Sequence, residues 1–299
     1  MFFLKLLYCL RMTDLILKIG FIFLWASAFV AAKLGLGDAG PFSMLSIRFA
    51  IVAIIFALMV VLFKNPWPKK REFKHLAIVG ILLHGFYLGG VFFSISKGTP
   101  AGIASLIVSI HPILTCFLAI KIIKEKITLE QWIGIILGMA GVILVILPRI
   151  GGEISFVGLM SCIIALSGIS YATIHQKKYL HEMDILSGNT FQAFFAAIFF
   201  LFLLLTIEPF YFVISLELII AMTWLTVLVS LGAISILMIL IKRSKVANTA
   251  SLFFLAPPVS AILGYLVFNE KLNIWGITGF AIACTGVWLV NKPKNIKSL

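Results

Sequence analysis

The chain has 299 residues, of which 62% are hydrophobic and 12% are charged, and its mean hydropathy is +1.16. A soluble domain of this length carries about twice that charged fraction, so the composition excludes a soluble fold and indicates a chain that lies in a bilayer. The net charge of +13 would suit nucleic-acid binding, but in a membrane protein it indicates lysines held in cytoplasmic loops, and we expect no nucleic-acid partner.

Residues 1–12 are apolar but too short to cross a bilayer, and no small-residue cleavage site follows them. We therefore expect no removable signal peptide, and Met1 and Met12 are both candidates for the translation start. The four cysteines lie in apolar runs without a Cys-x-x-Cys spacing: Cys9, Cys116, Cys162 and Cys284. This pattern predicts neither a disulfide framework nor a metal site, and no motif indicates a cofactor.

Apolar runs of about 20 residues, the length that crosses a bilayer, recur along the chain. The ten predicted spans are 14–36, 42–63, 74–96, 101–123, 129–148, 155–176, 187–207, 216–241, 247–268 and 272–291. Short breaks rich in proline and glycine separate them. The sequence therefore predicts an all-α polytopic membrane protein with ten transmembrane helices and no soluble domain.

The basic residues indicate how the chain is oriented. If the N-terminus is cytoplasmic, 19 of the 24 lysines and arginines fall on the cytoplasmic side and 5 on the other. Short cytoplasmic loops of membrane proteins carry an excess of lysine and arginine. We therefore expect both termini to face the cytoplasm.

A segment of about forty residues occurs twice, at 112–148 and 257–293. The residues that repeat with a spacing of 145 include Pro112/Pro257, Glu125/Glu270, Lys126/Lys271, Gly134/Gly279 and Gly141/Gly286. This predicts a duplication, with one repeat at 14–149, a second at 153–293, and cytoplasmic terminal segments at 1–13 and 294–299. Because five spans per half is an odd number, the second copy is inverted. Inverted five-helix repeats are a recurrent architecture of secondary transporters.

Prolines interrupt two predicted spans at matching positions. Pro112 lies near the middle of the fourth span, and Pro257 and Pro258 lie near the middle of the ninth. A mid-helix proline removes a backbone donor and kinks the helix. Matching interruptions in the two halves point to a binding site at the bilayer midplane, although a kink that only serves packing is the alternative.

Polar side chains at depth are the other candidates for function. His84 and His111 lie inside predicted spans, where an ionisable residue is a functional candidate by default. A neutral histidine bonded to a nearby carbonyl is the structural alternative. Arg48 lies two turns inside the second span, where it either holds an anionic substrate group, makes a structural hydrogen bond or extends to the interface.

All eleven acidic residues fall in loops or at helix ends, so no carboxylate is predicted at the depth where a sodium site or proton relay would need one. Coupling to protons through histidine, and exchange against another metabolite, are both open. The fifth and tenth spans carry small residues four apart, Gly134 with Gly138 and Gly279 with Ala283. Such pairs predict close helix packing without substrate contact.

These features resemble the EamA family of the drug/metabolite transporter superfamily. The resemblance covers about residues 14–293 and rests on Trp25-Ala26-Ser27, Arg48-Phe49 and the repeated unit from proline to glutamate to two glycines. Ala26 departs from the glycine that is frequent in the family. The resemblance implies an inner-membrane protein of ten helices that moves amino acids or other small metabolites, often outward. It also implies that six spans line the pathway, with these candidate substrate-binding residues: Trp25, His84, Tyr87, His111, Tyr171 and Trp224.

The leading hypothesis is an alternating-access carrier whose partners are a small-molecule substrate and the lipid bilayer. The alternative is a non-transporting membrane scaffold or assembly partner, which predicts a dry, closed interior. An intramembrane enzyme would need a nucleophile–base pair or a metal cluster, and His84 and His111 have no acidic or cysteine companion at ligand spacing. We therefore predict no catalytic residues and no enzymatic activity.

Overall fold

A computed structural model describes residues 2–97, 99, 104, 107–146, 155–268 and 274–292. Within these residues the chain is helical, apart from an isolated antiparallel bridge between Ala39 and Phe212 and the connecting turns. We label the helices α1 (Phe2–Gly35), α2 (Pro41–Leu62), α3 (Lys70–Ser96), α4 (His111–Ile123), α5 (Leu129–Ile146), α6 (Phe156–Tyr179), α7 (Ile185–Ile207), α8 (Leu216–Arg243), α9 (Val246–Phe268) and α10 (Ile274–Asn291).

Eight of these helices are long and apolar enough to cross a membrane, judged over the described residues by length and composition. The other two, α4 and α5, are shorter apolar helices. Helix ends lie within four residues of the predicted spans wherever the structure describes them, except that α1 begins at Phe2 and not at residue 14. No glycine or proline interrupts residues 2–13, so the helix extends through them. The chain is an all-helical, multi-pass membrane protein.

The helices pack in a pattern that repeats when five is added to each label. α1 packs against α8 and α9, and in the same way α6 packs against α3 and α4. α2 packs against α7, and α5 packs against α10, so each of these pairs joins helices of equivalent rank. The two sets, α1–α5 and α6–α10, therefore make matching contacts across a shared interior.

Glycines bring α5 and α10 into close contact. A Cβ atom built on Gly134 would lie 2.6 Å from the carbonyl oxygen of Gly286, and one on Gly141 would lie 2.6 Å from that of Gly279. Small residues allow two backbones to approach this closely. Because Gly134 precedes Gly141 whereas Gly286 follows Gly279, α5 and α10 run antiparallel.

The second equivalent pair, α2 and α7, is also antiparallel. At the start of α2, Ser43 Oγ donates a hydrogen bond of 2.8 Å to the carboxylate of Glu208, which follows α7. Beyond the other end of α2, Asn65 Nδ2 donates at 2.8 Å to Asp184, the N-cap of α7. The 22 residues of α2 span about 33 Å, close to the ~30 Å of bilayer hydrocarbon.

Candidate functional site

Regular α geometry is interrupted within or just before four helices, at matching positions in the two halves. α3 is π-helical at Gly80–Leu88, and α8 is π-helical at Trp224–Ala233. A turn at Ser109 and Ile110 precedes α4, and α9 narrows to a 3₁₀ helix at Leu252–Leu255. The members of each pair lie about 145 residues apart, which is the spacing of the sequence repeat. Such departures inside helices often mark functional sites.

An aromatic cluster lies beside these interruptions. The Trp25 ring in α1 stacks on Tyr87 in α3, with 6.0 Å between centroids and 5° between planes. Phe253 of the 3₁₀ segment meets Trp25 edge-on at 5.1 Å, and Phe21 lies 5.3 Å from Phe253. All four rings are buried. Stacked and edge-on aromatic pairs stabilise one another beyond their area of contact, so the cluster fixes the relative positions of α1, α3 and α9.

A narrow cleft, partly open to its surroundings, borders this cluster and encloses about 20 Å³ of free space. This is room for about one water molecule and far below the ~300–1,000 Å³ of common ligand pockets, so the cleft is nearly closed in this conformation. Helices of both halves contribute to its wall, which consists of Trp25, Phe29, Tyr87, Val108, Ser109, Phe253, Ala256 and Pro257. Only after the helices move apart would the cleft have room to stack an aromatic or apolar group against its rings, next to the hydroxyl group of Ser109.

His111 is fully buried beside the cleft. Its ring meets Phe253 edge-on, with the centroids 4.8 Å apart. Its Nδ1 atom lies 2.8 Å from Thr115 Oγ1 and 3.2 Å from Ser170 Oγ, so it links α4 to α6. Its Nε2 atom is buried without a hydrogen-bond partner among the described residues. A polar atom in this condition costs free energy unless a ligand or water satisfies it.

The remaining predicted substrate-binding residues lie at different distances from the cleft. Trp224 Nε1 donates a hydrogen bond of 2.8 Å to the hydroxyl of Ser27, which lies two residues after Trp25, and this bond connects α8 to α1. His84 lies on another face of α3 from Tyr87, with its ring 4.8 Å from that of Phe49 in α2. Tyr171 is 44% exposed on α6 and is not among the residues that line the cleft.

The predicted kink prolines sit directly after the interruptions. Pro112 is in the first turn of α4, and Pro257 and Pro258 follow the 3₁₀ segment of α9. Proline suits the first turn of a helix because the N–H that it lacks has no helical acceptor there. Of the three prolines, Pro257 lines the cleft.

Of the three roles left open for Arg48, the structure disagrees with extension to the membrane interface. Its side chain is 1% exposed and is among the largest fully buried side chains of the described residues. Arg48 therefore points into the bundle, where its Nε atom donates a hydrogen bond of 3.1 Å to Ser230 Oγ. The structural hydrogen bond and the anion-binding role both remain compatible with this position.

Sequence reasoning missed Phe253 as a member of the site. Phe253 lies four residues before Pro257, where a mid-helix proline disturbs the backbone carbonyl, but nothing in the sequence marks its ring. One phenylalanine among 27 carries no signal of its own. Its place four residues before a kink proline is the one feature of the sequence that could have drawn attention to it.

Comparison with known proteins matches both halves of the chain to one family. Residues 12–147 and 156–292 each match the EamA-like transporter family. The uncharacterized inner membrane transporter YedA of Escherichia coli K12 is 24% identical over 253 residues, covering 84% of this chain and 81% of that protein. An uncharacterized transporter of Clostridium kluyveri is 25% identical over 276 residues, covering 88% of this chain and 86% of its own.

A solved crystal structure shares the fold. It superposes with a TM-score of 0.79 at 16% sequence identity, and the match covers 94% of this chain and 98% of the other. At that identity the likeness concerns the fold alone. The family match extends over both repeats and most of the chain. The protein is therefore a member of the EamA-like transporter family.

Proposed function

We propose that the protein is a secondary transporter that moves a small metabolite, such as an amino acid, across the inner membrane by alternating access. The observation that carries this proposal is the cleft at Trp25, Tyr87 and Phe253, which lies where helices of both halves are interrupted. Transporter sites typically form at such discontinuous helices near the middle of the bilayer. Family membership supports a membrane transporter, and the cleft marks the position where a substrate site would open between the two halves.

The proposed architecture has ten spans in two inverted repeats, 14–149 and 153–293, with both termini cytoplasmic. The antiparallel pairing of α5 with α10 and of α2 with α7 supports the inversion, because each pair joins equivalent helices. α4 and α5 count as spans in this proposal because the predicted runs 101–123 and 129–148 extend beyond the described parts of these helices. The excess of cytoplasmic lysine and arginine supports the orientation.

Two equivalent contacts would act as gates at opposite ends of the bundle. α3 and α6 meet at one end, where His75 Nδ1 and His175 Nε2 share a hydrogen bond of 2.9 Å. α1 and α8 meet at the other end, where a Cβ atom on Gly35 would lie 3.2 Å from Ala221 Cβ. Opening one contact while the other stays closed would expose the cleft to one side at a time.

In the proposed site, Trp25, Tyr87 and Phe253 stack against the substrate. His111 either orients the ring of Phe253 or binds the substrate through its Nε2 atom, which has no hydrogen-bond partner within the described part of the chain. Trp224 positions α8 against α1. His84 lies on the adjoining face of α3, and Tyr171 lies apart from the cleft on the exposed face of α6. A proton or an exchanged metabolite would supply the driving force.

The test is a screen of metabolite flux in vesicles that contain the purified protein in a defined orientation, with and without a pH gradient. We expect saturable flux of at least one small metabolite above that of empty vesicles. Trp25→Ala should reduce this flux about tenfold at equal protein content, because a stacked ring contributes on the order of 1–2 kcal/mol to binding. Trp288, which is 59% exposed on α10, provides the control Trp288→Ala. Absence of flux across amino acids and related metabolites would favour a scaffold.

A further inference from the structure

A buried cation lies outside the aromatic cleft. Arg48 is 1% exposed and lies on α2, a helix long and apolar enough to cross the membrane. Charged side chains at this depth are costly, and they persist where a partner or a functional pathway compensates them. The ion pairs found among the described residues are His181–Glu182 and Arg243–Asp14, so no described carboxylate pairs with Arg48.

The neighbours of Arg48 satisfy only part of its hydrogen-bonding capacity. A guanidinium group carries five N–H donors, and the single hydrogen bond to a described residue is that from Nε to Ser230 Oγ. The guanidinium carbon also lies 5.3 Å from the centroid of the Phe49 ring, a weaker cation–π contact. The Nη end of the fork therefore lacks a described acceptor.

His84 provides a second, independent observation near Arg48. It packs against the Phe49 ring, with the centroids 4.8 Å apart, and the guanidinium carbon of Arg48 lies 5.3 Å from the centroid of the same ring. The histidine is 2% exposed, and its Nδ1 atom is buried without a hydrogen-bond partner among the described residues. Two neighbouring buried side chains thus both have polar atoms to offer to a third group.

The helix segments around Arg48 are equivalent in the two repeats. His84 lies in the π-helical part of α3, and Ser230 lies in the π-helical part of α8. These segments are equivalent in the two halves, and Arg48 on α2 touches the second directly. Tyr87 of the aromatic cleft lies on the first segment, so the cation site and the cleft share a helix that would move during transport.

We propose that Arg48, together with His84, binds the anionic group of the transported compound, and that Ser230 positions the guanidinium. The inference rests on the proposed transport function and assigns the substrate to small organic anions that bear a carboxylate or a similar planar group. A guanidinium fork matches a carboxylate in two parallel charge-assisted hydrogen bonds. Such a ligand would neutralise the buried charge and supply the acceptor that the described residues do not.

Binding can be tested without knowledge of the substrate. Benzoate and benzamide share an aromatic ring and differ in charge, so they form a matched pair of probes for a cationic site. The thermal unfolding midpoint of the purified full-length protein is measured against each probe at constant ionic strength. We expect benzoate to raise the midpoint saturably, with half-saturation at least about tenfold lower than for benzamide, since a charge-assisted bond is the stronger kind. Equal half-saturation by the two probes would overturn the proposal.

Variants locate the effect. Arg48→Gln should abolish the advantage of benzoate over benzamide, whereas Lys97→Gln, which removes an exposed cation, should preserve it. Arg48→Lys keeps a charge without the fork, and we expect benzoate to bind it several-fold more weakly than wild type. This variant serves if the glutamine variant does not fold. Wild-type preference in either Arg48 variant would contradict the assignment.

A chloride titration distinguishes a substrate group from an inorganic ion. If chloride alone saturates the stabilisation and benzoate adds nothing, the site takes an inorganic anion and the assignment to substrate fails. Flux measurements separate this outcome from failure of the transport proposal. If the protein transports neutral metabolites in vesicles but is not stabilised by benzoate, the transport proposal stands and the proposed anion site is wrong.

Discussion

At the scale of single residues, His111 has both a structural and a functional role available to it. Its Nδ1 atom bonds within the bundle, and its Nε2 atom is free among the described residues. We expect His111→Ala to reduce transport about tenfold, the effect of losing one well-made hydrogen bond to substrate, while membrane abundance falls less. Flux in vesicles and quantitative immunoblotting give the two readings.

The matched control for this variant is His181→Ala. His181 lies in the loop after α6, and its side chain is 56% exposed. We expect this variant to keep both transport and abundance. If His111→Ala lowered abundance and flux by the same factor, His111 would be a structural residue and no part of the site.

Glu208 is predicted to stabilise the start of α2. Its carboxylate accepts from the backbone N–H groups of Phe42 and Ser43 at 3.2 and 3.0 Å, in addition to the hydroxyl of Ser43. These N–H groups have no acceptor within the helix, so Glu208→Ala should cost about 1–2 kcal/mol of stability. Thermal unfolding in detergent measures the loss. Glu182→Ala is the control, because that side chain is 90% exposed, and an equal loss there would contradict the capping role.

Sequence reasoning reached Trp25, Tyr87 and His111, which the structure brings close to one cleft. Trp25 and Tyr87 were expected from the resemblance to the EamA family, and His111 was also expected from its depth inside a predicted span. The sequence could not predict how each helix is rotated about its axis. Lipid and protein interior are both apolar, so the hydrophobic pattern does not distinguish the lipid-facing side of a helix from its buried side. Tyr171 illustrates the difficulty: its depth suited the site, but its side chain points away from it.

At the scale of helices, the contact between α5 and α10 depends on the absence of side chains. Leucine at Gly134 would place its Cβ 2.6 Å from the backbone oxygen of Gly286 and 2.8 Å from Val290 Cγ2, and the backbone oxygen cannot move aside without moving the helix. We expect Gly134→Leu to lower membrane abundance several-fold, because overpacking costs about 1–3 kcal/mol. The transport rate per remaining molecule should change less. Fluorescence-detected size-exclusion chromatography reports the abundance.

Substitutions at two further glycines serve as controls for the abundance of Gly134→Leu. A Cβ atom on Gly37 would meet nothing within 4 Å, so Gly37→Ala should be tolerated. A Cβ atom on Gly138 would overlap the ring of Phe254, so Gly138→Ala should fall between the two because an aromatic ring can shift. Normal abundance of Gly134→Leu would show that α5 and α10 are not packed as described.

The contact between α3 and α6 provides a test of gating. His75 and His175 share a hydrogen bond, and their ring centroids lie 5.0 Å apart. Replacement of both residues by cysteine, in a background without the four native cysteines, should allow an oxidative cross-link that stops transport. A reducing agent should restore it. Each single-cysteine variant serves as a control, and full transport by the cross-linked protein would show that this contact need not open.

At the scale of the whole molecule, hydropathy and the spacing of 145 predicted the helices and the duplication. Both signals are strong because a bilayer demands about 20 apolar residues per span and because proline and glycine mark a repeat clearly. The π-helical segments of α3 and α8 could not be predicted. A π-helical turn needs no particular residue type, so its presence depends on how neighbouring helices pack.

The central claim is that equivalent loops of the two halves face opposite sides of the membrane. Lys69 and Ile214 occupy matching positions 145 residues apart, both are exposed, and they lie beyond opposite ends of α2. Single cysteines at these positions are labelled with an impermeant maleimide in intact cells and in inside-out vesicles. We predict labelling of Ile214→Cys from outside and of Lys69→Cys from the cytoplasmic side only. Labelling of both from the same side would contradict the inverted repeat and the shared cleft built on it.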